Sequence, residues 1–249
     1  MHGLFVNQKS WSGWKRFFEE RGYTVHTPAN PGHDGSPSDL RKNVPANLSK
    51  VDFEDVVMNL AKFIDTLPEK PILIGHSLGG LTVQKLLSMG KGVAGVTIDG
   101  APPVGVIPTE WSFWKSNFTV VNYLKGNSVF MPTKDWFAYT FGNTLSRADS
   151  DKAYEQYVTP ESRAIARGTL GSWGKIDMSK PHAPLLFIAG EKDNIIPASL
   201  NRRNYKKYTD RSSVTDFKEF KGKSHFICGE EGWEEVAEFV NQWLLKNNH

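Results

Sequence analysis

The feature that most constrains the fold is the pentapeptide Gly-His-Ser-Leu-Gly at residues 75–79. An apolar run, Pro-Ile-Leu-Ile, precedes it at residues 71–74, and residues 81–87 after it have a helical pattern. A strand that turns at once into a helix brings backbone segments so close that only glycine fits beside the turn. This context predicts a strand–turn–helix unit that presents the Ser77 oxygen at the helix N-terminus, where developing negative charge is favoured. The alternative is a glycine-rich turn that happens to contain a serine.

Composition and charge narrow the class of protein. Of the 249 residues 39% are hydrophobic and 23% are charged, a balance typical of a globular chain long enough to bury a sizeable core. The net charge is only +3 and the basic residues are scattered, so we expect no nucleic-acid partner. No apolar run has the length of a membrane span, and no signal-peptide pattern opens the chain. The single cysteine, Cys228, excludes an internal disulfide framework and indicates a reducing compartment, which predicts a cytoplasmic protein.

Short apolar strands alternate with amphipathic helices along most of the chain. This alternation predicts an α/β protein with a mostly parallel sheet and helices on both faces. Helical faces recur at residues 11–18, 53–67 and 233–244. The predicted strands lie at residues 23–28, 71–74, 93–98, 184–189 and 214–220.

The stretch from residue 104 to residue 180 breaks this alternation. It is rich in aromatic residues and has helical patterns of its own, which is typical of a cap inserted between two strands of a sheet. We therefore predict an α/β core formed by residues 1–103 and 181–249, with residues 104–180 as a helical cap. The aromatic rings of the cap either line an apolar pocket above Ser77 or form the core of the cap itself. The candidates for substrate contact are Trp111, Trp114, Phe137 and Phe141.

Several motifs follow one another in a fixed order, and together they resemble the α/β-hydrolase family over nearly all of the chain. Within that family the chain resembles small bacterial esterase-like members with a helical cap. The motifs are His-Gly at residues 2–3, Pro-Gly-His at residues 31–33, the pentapeptide at residues 75–79, Gly-Glu-Lys-Asp-Asn-Ile-Ile-Pro at residues 190–197, and the late His225.

The resemblance implies a catalytic triad, because family members place nucleophile, acid and histidine in that order along the chain. Here the order gives Ser77, Asp193 and His225. Neutral serine is a poor nucleophile and needs a base, and an acid would hold the histidine in the required tautomer. Asp99 is a competing acid because it also ends a predicted strand, although Asp-Gly-Ala-Pro-Pro is strong turn chemistry. His76 is expected to be structural, since adjacent residues of such a turn point apart.

The resemblance also implies an oxyanion hole made of backbone N–H groups. One donor would be Leu78, which follows the nucleophile, and the other Leu4, in the loop after His-Gly, with the neighbouring Phe5 beside the substrate. We expect no metal and no cofactor. The residues that could be imagined as metal ligands show no local ligand spacing. They are His2, His33, Asp34 and His182.

The chain departs from the family pattern at its start. Family members have an apolar strand directly before His-Gly, in the middle of the sheet, whereas here only Met1 precedes His2. We therefore expect the N-terminal strands of the family to be absent, which leaves unpaired backbone groups and lowers stability. Placing a short strand such as Val-Val-Leu-Val before Met1 is expected to raise the melting temperature and ester turnover.

The first hypothesis for function is a serine hydrolase that cleaves carboxylic esters through an acyl-enzyme. Its partner would be a small-molecule, ester-like substrate with an apolar group. A lactonase, an acyltransferase or a C–C hydrolase could use the same three residues. A non-catalytic ligand-binding protein on the same scaffold is the alternative from another class. Haloalkane dehalogenase and epoxide hydrolase chemistry are disfavoured because those relatives have Asp where Ser77 stands, and the oligomeric state is left open.

Overall fold

A parallel four-stranded sheet forms the centre of the structure, a computed structural model that describes residues 1–249. Four strands, β1 (Ile72–His76), β2 (Ala94–Ile98), β5 (Leu185–Gly190) and β6 (Thr215–Phe220), lie side by side in that order, and every pairing between them is parallel. The predicted α/β class with a mostly parallel sheet is therefore confirmed. The strands of the chain are β1 (Ile72–His76), β2 (Ala94–Ile98), β3 (Val129–Phe130), β4 (Glu161–Ser162), β5 (Leu185–Gly190) and β6 (Thr215–Phe220).

Ten helices surround the sheet or extend from it, and none of them is both long and apolar enough to cross a lipid bilayer. The third begins with a capping box, because Asp52 accepts from the Asp55 N–H while Asp55 accepts from the Asp52 N–H. The helices are α1 (Ser12–Glu19), α2 (Pro37–Lys42), α3 (Phe53–Asp65), α4 (Leu78–Ser88), α5 (Trp111–Val121), α6 (Lys134–Thr140), α7 (Arg147–Tyr157), α8 (Arg163–Gly168), α9 (Ala198–Lys207) and α10 (Trp233–Lys246).

Both faces of the sheet are buried under helices, and every residue of the two central strands, β2 and β5, is buried. In β5, Leu186 and Ile188 join the apolar cluster formed with α1 and α10. The alternate residues Leu185 and Phe187 join the cluster formed with α3 and α4 on the other face. This two-residue alternation places the carboxyl ends of β1, β2 and β5 together at one edge of a rigid layer.

Residues 104–180, which we call the cap segment, lie between β2 and β5 in the chain. They contain α5 to α8 and the short antiparallel pair of β3 and β4. A third apolar cluster joins this segment to the sheet: it includes Phe130, Phe137 and Phe141 from the cap segment together with Phe5 and Ile195 from outside it. The cap segment thus packs over the loops at the carboxyl end of the sheet.

The prediction of a strand at residues 23–28 is wrong. The segment is extended, but none of the backbone groups of residues 24–28 bonds to another backbone group. A strand needs a neighbour, and the edge strand of the sheet, β1, is separated from this segment by a cavity of about 650 Å³ that both of them line.

Candidate active site

Ser77 occupies a strained turn between β1 and α4. Its φ of 58° and ψ of −119° are rare for a residue with a side chain. The surrounding glycines explain how the turn is possible: a Cβ on Gly75 would overlap the Gly79 carbonyl, and a Cβ on Gly79 would overlap the Met1 carbonyl. A backbone hydrogen bond from the Ser77 N–H to the Ile98 carbonyl (2.9 Å) ties the turn to β2. The sequence pattern therefore has the steric origin that was expected of it.

Asp193 and His225 are joined directly, although they are far apart in sequence. Asp193 Oδ2 accepts a hydrogen bond of 2.6 Å from His225 Nδ1, and both side chains are fully buried. The other carboxylate oxygen accepts from the N–H groups of Ile195 and Ile196, each at 2.8 Å. Three donors thus hold this carboxylate in one orientation at the end of β5.

The cap segment is hydrogen-bonded to the loop that follows Asp193. Asn194 donates through Nδ2 to the Tyr139 carbonyl (2.9 Å), and its own carbonyl accepts from Ser116 Oγ (3.1 Å). Asn117 Nδ2 donates to the Ile195 carbonyl at 3.1 Å. Residues from α5 and α6 therefore support the loop on which the acid sits.

The second ring nitrogen of His225, Nε2, is buried and has no hydrogen-bond partner. Ser77 is not hydrogen-bonded to it in this structure, so the predicted Ser77–His225–Asp193 chain is present only in its His225–Asp193 part. His76, next to Ser77, has its ring centroid 4.5 Å from that of His225, with the two ring planes tilted by 46°, and its Nε2 donates to the His225 carbonyl at 2.8 Å. Burial, followed by the nearby His225, lowers the pKa of His76 well below its usual value. His76 is therefore a neutral group that holds the His225 backbone.

Glu230 is a supporting residue that the sequence reasoning missed. Its carboxylate accepts from the Ser224 N–H (2.9 Å), the Ser224 hydroxyl (3.0 Å) and the Thr144 hydroxyl (2.7 Å) of the cap segment. These bonds hold the loop that carries His225. The only sequence signal for this role was a Ser-His pair followed closely by a Glu. Such a pattern is too common to identify a supporting residue by itself.

Asp99 also lies in this site. It is fully buried with a φ of 43°, and Oδ1 accepts from the Gly190 N–H at 2.7 Å. Its Oδ2 has no hydrogen-bond partner. Burial, and next the charge of Asp193, raise the pKa of Asp99 well above its usual value. His225 Nδ1 donates its hydrogen bond to Asp193 and not to this second acid.

The two backbone N–H groups predicted to form the oxyanion hole are those of Leu4 and Leu78. Neither the Leu4 nor the Leu78 N–H donates a hydrogen bond within the protein. The loop bearing Leu4 is fixed by the buried His2, whose Nε2 accepts from the Asn30 N–H at 3.0 Å while Nδ1 donates to the Gly3 carbonyl at 2.9 Å. Burial, followed by the neighbouring His33, lowers the pKa of His2 to about 3, which keeps this histidine neutral.

The candidate aromatic residues divide into two groups by position. Phe141 lies edge-on to the His225 ring, 4.6 Å between centroids, and Phe137 stacks on Phe141 at 5.2 Å. Phe5, with a φ of 67°, meets Phe141 at 6.3 Å from the other side. Trp111 and Trp114 are different, since 78% and 49% of their surfaces are exposed. Trp136, which was not among the candidates, completes the cluster by contacting Phe5 at 5.0 Å.

Groups able to ligate a metal do meet in the site. His76, Asp99 and His225 each offer one ligand atom, and these atoms lie within 4.8 Å of one another. Both histidines already commit one ring nitrogen to a hydrogen bond within the protein. Among the residues considered from the sequence, His33 lies 3.1 Å from Glu161 in a buried pair that links the core to the cap segment.

Comparison with known proteins agrees with the fold. Residues 1–239 match the family described as the alpha/beta hydrolase family. A pyrethroid hydrolase of Sphingobium wenxiniae is 33% identical over 86 residues, a match that spans 34% of this chain and only 28% of that relative.

Two solved structures are similar over nearly the whole chain. A monoacylglycerol lipase of Paleococcus ferrophilus superposes with a TM-score of 0.70 at 21% identity, covering 99% of this chain and 92% of that one. A variant of tomato methylketone synthase I, complexed with β-ketoheptanoate, superposes with a TM-score of 0.74 at 16% identity, covering 99% and 96%. At such identities these likenesses concern the fold alone. Since the family match extends over almost the entire sequence, the chain belongs to the alpha/beta hydrolase family.

Proposed function

We propose that the protein hydrolyses carboxylic esters with Ser77 as nucleophile, His225 as base and Asp193 as the acid that orients it. The observation that carries the proposal is the hydrogen bonding of the two ring nitrogens of His225. One ring nitrogen is bound to Asp193 at 2.6 Å, while the other is buried without a partner beside the turn that carries Ser77. A buried nitrogen with no partner is costly, and a hydroxyl proton supplied by Ser77 during the reaction would satisfy it.

The proposed reaction has two balanced halves. His225 Nε2 takes the proton of the Ser77 hydroxyl as the oxygen attacks the acyl carbon, and the carbonyl becomes an oxyanion. The free N–H groups of Leu4 and Leu78 would stabilise that oxyanion. The intermediate then expels the alcohol, which takes the proton from Nε2, and leaves an acyl-enzyme. Water attacks the acyl group, gives a proton to Nε2, and releases the carboxylic acid as Ser77 recovers its hydroxyl proton.

The substrate is proposed to be a small ester with an apolar group. Phe141 lies edge-on to His225, Phe5 and Phe137 pack against Phe141, and Trp136 packs against Phe5. The names of two relatives, a pyrethroid hydrolase and a monoacylglycerol lipase, agree with an apolar small-molecule substrate. The exposed Trp111 and Trp114 contribute less to this proposal than their position in the aromatic stretch suggested.

The division into a core (residues 1–103 and 181–249) and a helical cap (residues 104–180) is part of the same proposal. It is supported by the contacts through which α5 and α6 hold the loop after Asp193. The single cysteine supports a reducing, cytoplasmic location. Lactonase, acyltransferase and C–C hydrolase activity would use the same site, and a panel of such substrates separates them.

The test is turnover of p-nitrophenyl acetate and butyrate, together with labelling by a fluorophosphonate probe. We expect S77A to lose about 10³-fold or more in turnover and to lose all labelling, because no other group can form the acyl-enzyme. S88A is the matched control, since Ser88 is an exposed serine at the opposite end of the same helix. Equal labelling of S77A and the unmodified chain, or no turnover of any ester by a folded sample, would contradict the proposal.

A further inference from the structure

A buried pair of side chains, His33 and Glu161, joins the core to the cap segment. His33 Nε2 lies 3.1 Å from Glu161 Oε2, and neither side chain is more than 1% exposed. Neither of these two atoms has a hydrogen-bond partner elsewhere in the protein. His33 Nδ1 is bonded to the Pro31 carbonyl at 3.1 Å. Glu161 Oε1 accepts from the Ser162 N–H at 2.8 Å, so Nε2 and Oε2 have only each other.

This contact requires a proton. A carbonyl oxygen can only accept, so the Nδ1 that faces Pro31 carries a hydrogen. In a neutral ring, Nε2 would then present a lone pair to a carboxylate oxygen 3.1 Å away, and two buried acceptors at that distance repel each other. One additional proton gives His33 a second N–H and a positive charge beside the acid. The pair is therefore stable only when it holds that proton.

The surroundings of His33 favour the charged ring through Glu161. Burial alone lowers the pKa of His33, but the charge of Glu161, its contact with the ring and two backbone carbonyls outweigh burial and raise the pKa overall. The other titratable side chain against the ring is His2, with centroids 5.4 Å apart, which is neutral because burial and then the charge of His33 lower its pKa to about 3. The neighbouring Asp34, on the same loop, is exposed.

The pair lies beside residues 3–7, which we call the oxyanion loop because it carries one of the proposed oxyanion donors. Phe5 has a φ of 67° there, a conformation that is unfavourable for a phenylalanine and has to be held by its surroundings. From the cap segment, the Thr159 N–H donates to the Phe5 carbonyl at 2.8 Å. From the loop, Asn7 Nδ2 donates to the His33 carbonyl at 3.2 Å. The buried pair thus closes a ring of contacts between the oxyanion loop and the cap segment.

We propose that His33 and Glu161 are positioning residues, which hold the cap segment on the oxyanion loop with one shared proton and release it when that proton is lost. They act through the backbone of the loop rather than on the reacting atoms. Loss of the proton leaves a buried carboxylate against a ring lone pair, and the cap segment must move or admit water to relieve this repulsion. The effect on turnover rests on the proposed function, whereas the proton and the contact do not.

The substitution E161Q tests the proton. Its amide can donate to the lone pair of a neutral His33, so the contact survives without the additional proton, whereas E161A removes the contact. The matched control is E69Q, since Glu69 is an exposed glutamate outside the cap segment. Nitrogen-15 NMR of the histidine rings detects the proton directly. At pH 7 the unmodified chain and E69Q should contain a ring with hydrogen on both nitrogens that carries only one in E161Q.

The dependence on pH separates this role from packing alone. Because the pKa of His33 is raised in the folded chain, the contribution of the pair is complete below the ordinary pKa of 6.5 and is lost as the pH rises through the folded-state value. The unfolding free energy of the unmodified chain should therefore fall relative to that of E161Q as the pH rises above 6.5. Urea unfolding of both chains across this range measures the difference.

Hydrogen exchange of the Thr159 N–H reports whether the oxyanion loop is held, because this group donates to the Phe5 carbonyl. We expect exchange at neutral pH to be faster by about tenfold or more in E161A and to stay slow in E161Q. The kcat for p-nitrophenyl esters should follow the same order, with a loss of about tenfold in E161A that E161Q largely restores.

Two results would overturn the proposal. One is a histidine spectrum that is the same in E161Q and in the unmodified chain, because no proton would then be shared. The other is equal protection of Thr159 in E161A and E161Q, since the pair would then not hold the loop. The expected spectra and exchange rates in a chain that cleaves no ester would support the shared proton and contradict the proposed function, so the two can fail independently.

Discussion

The loops after β2 and after β5 each bring one buried aspartate to the same edge of the sheet, yet the two carboxyl groups have different surroundings. Asp193, after β5, accepts hydrogen bonds from two backbone N–H groups and from His225. Asp99, after β2, accepts one, from Gly190, and its second oxygen has no partner. Both are almost completely buried. Burial therefore does not distinguish them, whereas the number of donors does.

The difference explains how one site can contain two acids. Burial, followed by the charge of Asp193, raises the pKa of Asp99 well above its usual value, and the single donor to Asp99, the Gly190 N–H, does not offset this. The acid that contacts the ring nitrogen of His225 is Asp193, which also accepts from two backbone N–H groups. Both acids lie at strand ends, and their hydrogen-bond donors distinguish them.

Replacing Asp193 should have the largest effect. D193N keeps the size of the side chain but removes the charge that orients His225 and stabilises its protonated form, so we expect kcat for p-nitrophenyl esters to fall by about 10⁴-fold. Circular dichroism should show an unchanged fold. Residual activity within tenfold of the unmodified chain would mean that Asp99 takes over, and the distinction between the two loops would not hold.

The matched change at Asp99 should have a much smaller effect. In D99N the amide oxygen can still accept from the Gly190 N–H, and the amide is neutral, which is the form that the raised pKa of Asp99 favours. We expect kcat to change by no more than about tenfold, the equivalent of one neutral hydrogen bond. If D99N loses as much activity as D193N, both carboxyl groups take part in the chemistry.

The smallest expected effect concerns stability and its dependence on pH. Asp99 ionises near its ordinary pKa of 3.8 in the unfolded chain but at a raised pKa in the folded one, so the folded state binds more protons in between. Its contribution is complete below pH 3.8 and is lost as the pH rises toward the folded-state pKa. Relative to D99N, the unmodified chain should therefore lose unfolding free energy as the pH rises above 3.8.

Urea unfolding of both chains at pH 5, 6 and 7 measures this slope. The comparison is internal, because every other titrating group is the same in the two proteins. Parallel curves would show that Asp99 is already ionised in the folded chain, which would place two charges side by side in the site.

The sequence predicted most of the fold because its signals are local. The glycines around Ser77, the apolar alternation of the strands and the helical face of residues 53–67 all act between near neighbours, and the α/β sheet is confirmed. The prediction of a strand at residues 23–28 was wrong because pairing between strands is not a local property. Strand formation depends on a partner elsewhere in the chain, and residues 23–28 have none.

The candidate site shows the same limit. Motif order selected Asp193 and His225, and the structure joins them; the roles of the two residues stay predictions. The protonation of Asp99 depends on the charge of a residue 94 positions away, and the closeness of Phe141 to His225 depends on how the cap segment folds back. Neither can be read from periodicity or spacing, since both are determined by contacts between distant segments.

The hydrogen bonds between α5, α6 and the loop after Asp193 have a consequence for how the site opens. His225 is fully buried, and Asn194 and Ile195 are fastened to the cap segment by three hydrogen bonds. In the ester hydrolase that we propose, a movement of the cap segment that admits substrate would therefore disturb the alignment of Asp193, and the coupling would be reciprocal. A ligand that favours the closed cap also favours an aligned Asp193, so the enzyme we propose would complete its own catalytic machinery by enclosing what it cleaves.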